Sequence, residues 1–155
     1  MRLAQAGFGA CLADDMGLGK TVQVLALLLA CKSQKGARPS LLVLPASLLG
    51  NWSAEIQRFA PHLRALVLHP EAHKEKKVPE LTAETLADYD LLLTTYSLAA
   101  RYKWLQAHEF GYVILDEAQA IKNPATGQAR AVKRLRCRHR LALTGTPIEN
   151  RLTDL

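Results

Sequence analysis

The sequence predicts an α/β domain: a mainly parallel central sheet with helices on both faces. Two observations predict it. Short, solid apolar runs recur along the chain, as in strands buried on both faces rather than half-wetted ones. Between them lie stretches whose apolar residues fall at helical spacing. Right-handed crossovers between such strands gather the following loops along one sheet edge, where open α/β sheets bind ligands.

Ala10 to Ala13 reads as a short buried strand, followed by a loop and a helix from about Lys20 to Lys32. Leu41 to Leu44 is a second strand. Ser47 is placed to cap a helix reaching Phe59, because its hydroxyl can accept from free first-turn amides. Leu48, Leu49, Trp52, Ile56 and Phe59 form that helix's apolar face, which gives Trp52 a packing role. Ala65 to Leu68 is a third strand. The polar stretch from His69 to Pro79, with Lys74, Lys76 and Lys77, is an exposed loop, and a short helix spans about Leu81 to Leu86. Leu91 to Thr94 is a fourth strand, with Ser97 as cap of a short helix through Trp104. Tyr112 to Leu115 is a fifth strand. A helix over about Thr126 to Leu135 leads to the last strand, Arg140 to Leu143.

The chain has 155 residues, 49% hydrophobic and 22% charged, which suits one soluble globular domain and excludes disorder and collagen-like structure. The longest apolar run, Val24 to Cys31, is eight residues, against the roughly 20 a membrane-spanning helix needs. No apolar signal core follows Met1-Arg2, and Cys11, Cys31 and Cys137 form no CxxC pair, so a cytoplasmic protein without disulfides is expected. His69 and His73 have zinc-helix spacing, but Pro70 lies between them and no third ligand is near. The formal charge is +6, a weak pointer to an anionic partner. Seven basic residues and no acid lie between Ala120 and Arg140. They are either a solvated face or part of an anion-binding footprint.

Between the first strand and its helix stands Ala13-Asp14-Asp15-Met16-Gly17-Leu18-Gly19-Lys20-Thr21. Its GxGKT ending is that of a phosphate-binding loop. Glycines let backbone amides converge on phosphate oxygens at a helix N-terminus, which adds roughly half a positive charge. Asp15 to Thr21 would wrap the phosphates, with Lys20 on the β- and γ-phosphates and the Thr21 hydroxyl on Mg²⁺. Asp14 stands where the full pattern has glycine, so a simple glycine turn is the competing reading. Asp116-Glu117-Ala118-Gln119 follows the fifth strand directly. Two acids there are costly without a cation. With Mg²⁺-nucleotide present, Asp116 would hold the metal and Glu117 would polarise the attacking water. The competing reading is acids complementing a helix dipole.

These segments, in this order, resemble the motifs of a Swi/Snf-type helicase-related ATPase of superfamily two. Ala13 to Thr21 resembles motif I, LVLPASLLGNW (Leu42 to Trp52) motif Ia, and Thr94 to Ser97 motif Ib. DEAQ (Asp116 to Gln119) resembles motif II, and LTGTPIEN (Leu143 to Asn150) motif III. DEAQAIKN with TGTPIEN looks most like prokaryotic members. The resemblance implies a RecA-like P-loop NTPase domain with ATP and Mg²⁺ as ligands, driving translocation on double-stranded DNA and remodelling of protein–DNA complexes. It implies that Gln119, Thr144, Gly145 and Thr146 couple nucleotide state to DNA grip. Pro45, Ser47, Thr94 and Thr95 would touch the DNA backbone without reading sequence, through outward-facing amides and hydroxyls. It further implies a nucleoid-associated protein and a second RecA-like lobe carrying an arginine finger. Residues 1–155 then form one lobe, cut at both ends and nearly inactive alone. The alternatives are a small-molecule P-loop kinase and a non-catalytic nucleotide-binding module.

Overall fold

The computed structural model describes residues 10–13, 18–118, 123 and 125–144. Six strands form one sheet: β1 (Ala10–Ala13), β2 (Ser40–Leu44), β3 (Ala65–Val67), β4 (Leu91–Thr95), β5 (Glu109–Leu115) and β6 (Arg136–Thr144). Their spatial order is β1-β6-β5-β2-β4-β3, and every neighbouring pair is parallel. The helices are α1 (Leu18–Lys32), α2 (Leu49–Phe59), α3 (Ala83–Leu86), α4 (Tyr96–Arg101) and α5 (Gly127–Arg134). All six predicted strands form.

Strand alternation divides the core into two layers. Leu42, Leu44, Leu91, Leu93, Ile114 and Leu141 pack with Val24, Leu25 and Leu28 of α1 and with Trp52 and Ile56 of α2. Leu41, Val43, Leu92, Val113, Leu115 and Ala142 pack on the opposite face with Tyr96 and Ala99 of α4 and Ala129 and Val132 of α5. Both faces are covered, which is why the apolar runs of β2, β4 and β5 carry no polar alternation. Two predicted caps shift. Ser47 lies inside a 3₁₀ turn (Ala46–Leu48), and α2 starts after Leu48 without a side-chain cap. Thr95, not Ser97, caps α4 by accepting from the Leu98 amide, and α4 stops at Arg101 before another 3₁₀ turn (Lys103–Ala107). Thr82 and Thr126 cap α3 and α5 in the same way.

β5 and β6 begin several residues earlier than the apolar pattern predicts. The extra length brings in Glu109, Arg136 and Arg138 beside the buried Phe110. Glu109, opposite Arg136 in register, pairs with Arg38 at 3.5 Å and Arg138 at 3.6 Å. Arg140 donates to the Val132 and Leu135 carbonyls at 2.9 and 2.8 Å and so closes the end of α5. These partners tie Arg136, Arg138 and Arg140 to the amino edge of the sheet. Arg130, Lys133 and Arg134 are exposed on α5, and Arg136 and Arg138 are exposed at the start of β6. The three lysines of the loop after β3 are exposed as predicted. In the same stretch His73 Nε2 is 2.9 Å from the Val67 carbonyl, and His69 accepts from the Glu71 amide. Cys31 and Cys137 are free thiols half-buried against the two core layers, and burial raises the pKa of both. No described helix is long and apolar enough to cross a membrane.

Asp90 holds the amino edge beside β3. It accepts from the Arg64 amide at 2.9 Å and guanidinium at 3.1 Å, and meets Lys32 at 3.1 Å. Burial pushes its carboxyl up, but these donors outweigh burial and hold it below the ordinary carboxylate range. A depressed carboxyl stabilises the fold above its unfolded pKa and loses that contribution as pH falls through the folded value. Asp90→Asn should therefore lower the melting temperature at neutral pH. The gap from wild type should close as pH drops below about 4, read by thermal melts across pH.

Candidate nucleotide site

The parallel sheet puts every strand's carboxyl end on one edge. Register aligns Ala13 with Thr144, and Cys11 with Ala142, which in turn faces Leu115. The end of β1, the end of β6 and the turn after β5 therefore lie side by side. β6 stands between β1 and β5. The phosphate-loop and acidic strands are separated by the strand that carries Thr144, which places that residue between the two candidate motifs. On the other side of β5, Val43 faces Leu115, and Leu44 faces Thr95. Pro45, Ser47 and Thr95 thus share the edge with Asp116.

Helix α1 begins at Leu18, two residues earlier than predicted, so Gly19, Lys20 and Thr21 occupy its first turn. Lys20 is 7% exposed, and its Nζ lies 3.7 Å from Asp116 Oδ1 and 4.0 Å from Glu117 Oε1. Thr21 follows, half-buried. Asp14, Asp15, Met16, Gly17, Gln119, Gly145 and Thr146 lie outside the described residues. The main chain of Thr144 ends β6.

Asp116 is 5% exposed, so its charge needs partners. Its amide donates to the Val43 carbonyl at 2.8 Å, continuing the β2–β5 ladder by one residue. Oδ1 accepts the Glu117 amide at 2.9 Å, and Oδ2 accepts the Trp52 indole N–H at 2.7 Å. The Tyr96 hydroxyl donates to the Asp116 carbonyl at 2.7 Å. Burial, then the charges of Asp116 and Glu117, push the Tyr96 phenol far above its ordinary value, so it remains a donor. Glu117 has φ 51°, in the left-handed region that non-glycine residues avoid at a cost of about 1–2 kcal/mol. That backbone lies in the turn where its carboxylate meets Lys20.

Trp52 and Tyr96 were not legible as site residues. A buried indole or phenol needs a polar partner, but no sequence pattern names a partner 64 positions away in the case of Trp52. The two candidate DNA loops also differ from expectation. Ser47 is exposed and Pro45 half-buried. Thr94, expected to point outward, is fully buried, and its hydroxyl donates to the Leu68 carbonyl at 3.1 Å. Thr95 is 4% exposed and spends its hydroxyl on the α4 cap. The outward hydroxyl of that loop belongs to Ser97. A cleft of about 470 Å³ lined by Lys32, Arg64, Asp90 and Glu109 lies at the amino edge, at the other end of the strands, where its acids are already paired.

Comparison with known proteins places this geometry. The SWI2/SNF2 ATPase core of Sulfolobus solfataricus, solved in complex with dsDNA, superposes with a TM-score of 0.81 at 47% identity. The match covers 98% of this chain and 31% of that one. YwqA of Bacillus subtilis, named as a candidate ATP-dependent helicase/translocase, is 46% identical over 99% of this chain and 16% of its own length. The human chromatin-remodeling ATPase INO80 is 37% identical over 99% of this chain and 10% of its own. The chain thus spans less than a fifth of these curated relatives. The fold is the RecA-like one of the SWI2/SNF2 ATPase core. Residues 1–155 match the SNF2-related domain along their whole length, and the chain belongs to that family.

Proposed function

We propose that this chain is the ATP-binding lobe of a double-stranded-DNA translocase, hydrolysing ATP in response to DNA and using it to remodel protein–DNA complexes. The observation that carries the reading is Lys20 Nζ set 3.7 and 4.0 Å from the carboxylates of Asp116 and Glu117. That contact joins the two segments read as phosphate loop and acidic pair, which lie nearly a hundred residues apart in sequence. The names of the relatives support it: a helicase/translocase, a chromatin-remodeling ATPase and an ATPase core bound to dsDNA.

The residues suit Mg²⁺-ATP. Asp116 carboxylate and Thr21 hydroxyl are the hard oxygen donors magnesium prefers. The Lys20 contacts are long for an ion pair, so the ammonium can move to a phosphate without breaking a tight bond. When bound, Mg²⁺ supplies charge neutralisation to the phosphates. Lys20 holds the β- and γ-phosphates. Glu117 takes the proton of the attacking water, and Asp116 is the metal-side carboxylate. A second RecA-like lobe supplies the groups that complete the cleft, including an arginine worth roughly 10³–10⁵ in rate in related chemistry. The exposed Ser47 turn and the Ser97 end of α4 offer groups to DNA phosphates, with no sequence information in such contacts. A cytoplasmic, nucleoid-associated setting fits that role.

Lys20→Ala should abolish ATP binding, measured by calorimetric titration; affinity equal to wild type refutes the phosphate-loop assignment. Glu117→Gln should keep binding and lower turnover in the intact protein by about 10²–10⁴-fold, the range for a lost general base. Duplex binding should be independent of sequence and weaken with salt, with a log–log slope of about −0.9 per phosphate contact. An anisotropy titration that is flat in salt rules out the backbone mode.

A further inference from the structure

We propose that Trp52 and Tyr96 are positioning residues that tie duplex binding to the geometry of the Asp116 carboxylate. This rests on the reading of the chain as a DNA-stimulated ATPase lobe. Both aromatics leave a turn on the candidate DNA edge. Trp52 lies in the first turn of α2, directly after the Ala46–Leu48 turn that exposes Ser47. Tyr96 is the first residue of α4, between buried Thr95 and exposed Ser97.

They reach Asp116 from opposite sides of the sheet. Trp52 packs in the α1–α2 layer and Tyr96 in the α4–α5 layer. The indole N–H, which can only donate, holds Oδ2 at 2.7 Å. The Tyr96 hydroxyl holds the main-chain carbonyl of the same residue at 2.7 Å. Side chain and backbone of one acid are thus gripped by two helices that start at two separate turns. Each helix is anchored by buried side chains close to its start. Trp52 and Ile56 seat α2 in its layer, and Tyr96 and Ala99 seat α4 in the other. A displacement of either turn by a docked duplex is carried to Asp116. Partners of this kind commonly set the affinity of a carboxylate for its metal.

The test uses Trp52→Phe and Tyr96→Phe in the intact protein. Tyr96→Phe keeps the ring and removes one donor, while Trp52→Phe removes the indole donor and also trims the buried ring to a phenyl, so its melting temperature is read beside both readouts. The first readout is the free Mg²⁺ needed for half-maximal binding of a fluorescent ATP analogue, which should rise about 10-fold or more. The second is the ratio of hydrolysis rates with and without saturating duplex, which should fall about 10-fold while duplex affinity by anisotropy stays at the wild-type value. A merely structural role lowers the melting temperature and moves neither readout. Either readout at its wild-type value in a folded variant overturns the proposal. A wild-type protein that duplex does not stimulate defeats the translocase reading instead. If Trp52→Phe does not fold, Tyr96→Phe, which deletes one hydroxyl, decides by the same two criteria.

Discussion

A carboxylate buried at the end of an apolar strand is the constraint around which this fold is arranged. Asp116 is 5% exposed, and an isolated charge there would cost several kcal/mol. Three groups meet the carboxylate itself (the Trp52 indole, the Glu117 amide and the Lys20 ammonium), and two more fix its main chain, so five elements converge on this residue. β2 takes its amide, α2 gives an indole N–H, α4 gives a phenol to its carbonyl, α1 brings an ammonium, and its own turn returns the Glu117 amide. None of these is local except the last. The carboxylate therefore keeps its orientation only if the parallel sheet is in register and both helical layers are docked.

The sheet was legible because its strands are buried on both faces. Leu41 to Leu44 and Leu91 to Leu93 are fully buried, and such runs announce themselves without alternation. The start of β5 and β6 was not legible, because Glu109, Arg136 and Arg138 interrupt the apolar run there, although Phe110 between them is buried in the core. Lys20, Asp116 and Glu117 could be named because phosphate chemistry demands those residue types at those spacings. Trp52 and Tyr96 could not, since their ring burial hides the polar end that matters. The threonines failed in the opposite sense. Thr94 and Thr95 look like ligand hydroxyls in sequence, yet one bonds the Leu68 carbonyl and the other a helix amide. Threonine after a strand has two uses, and sequence does not separate them.

The two edges of the sheet treat acids differently, and the difference marks which edge is for ligands. At the amino edge Asp90 has Lys32 and Arg64 both at 3.1 Å, and Glu109 lies between Arg38 and Arg138 at 3.5 and 3.6 Å. Those acids meet cations on side chains that reach solvent, and they staple the chain. At the carboxyl edge Asp116 and Glu117 share Lys20 at 3.7 and 4.0 Å, beyond the tight range of an ion pair with direct hydrogen bonding. Lys20 and Asp116 there are nearly dry, where electrostatic interactions are stronger than at the surface. The long contacts of Lys20 leave its ammonium placed to meet an anion with its counter-ion. The strained backbone of Glu117 belongs to the same economy: a left-handed residue persists only when its surroundings over-determine it. Here they do so at the one turn where both acids and the lysine meet.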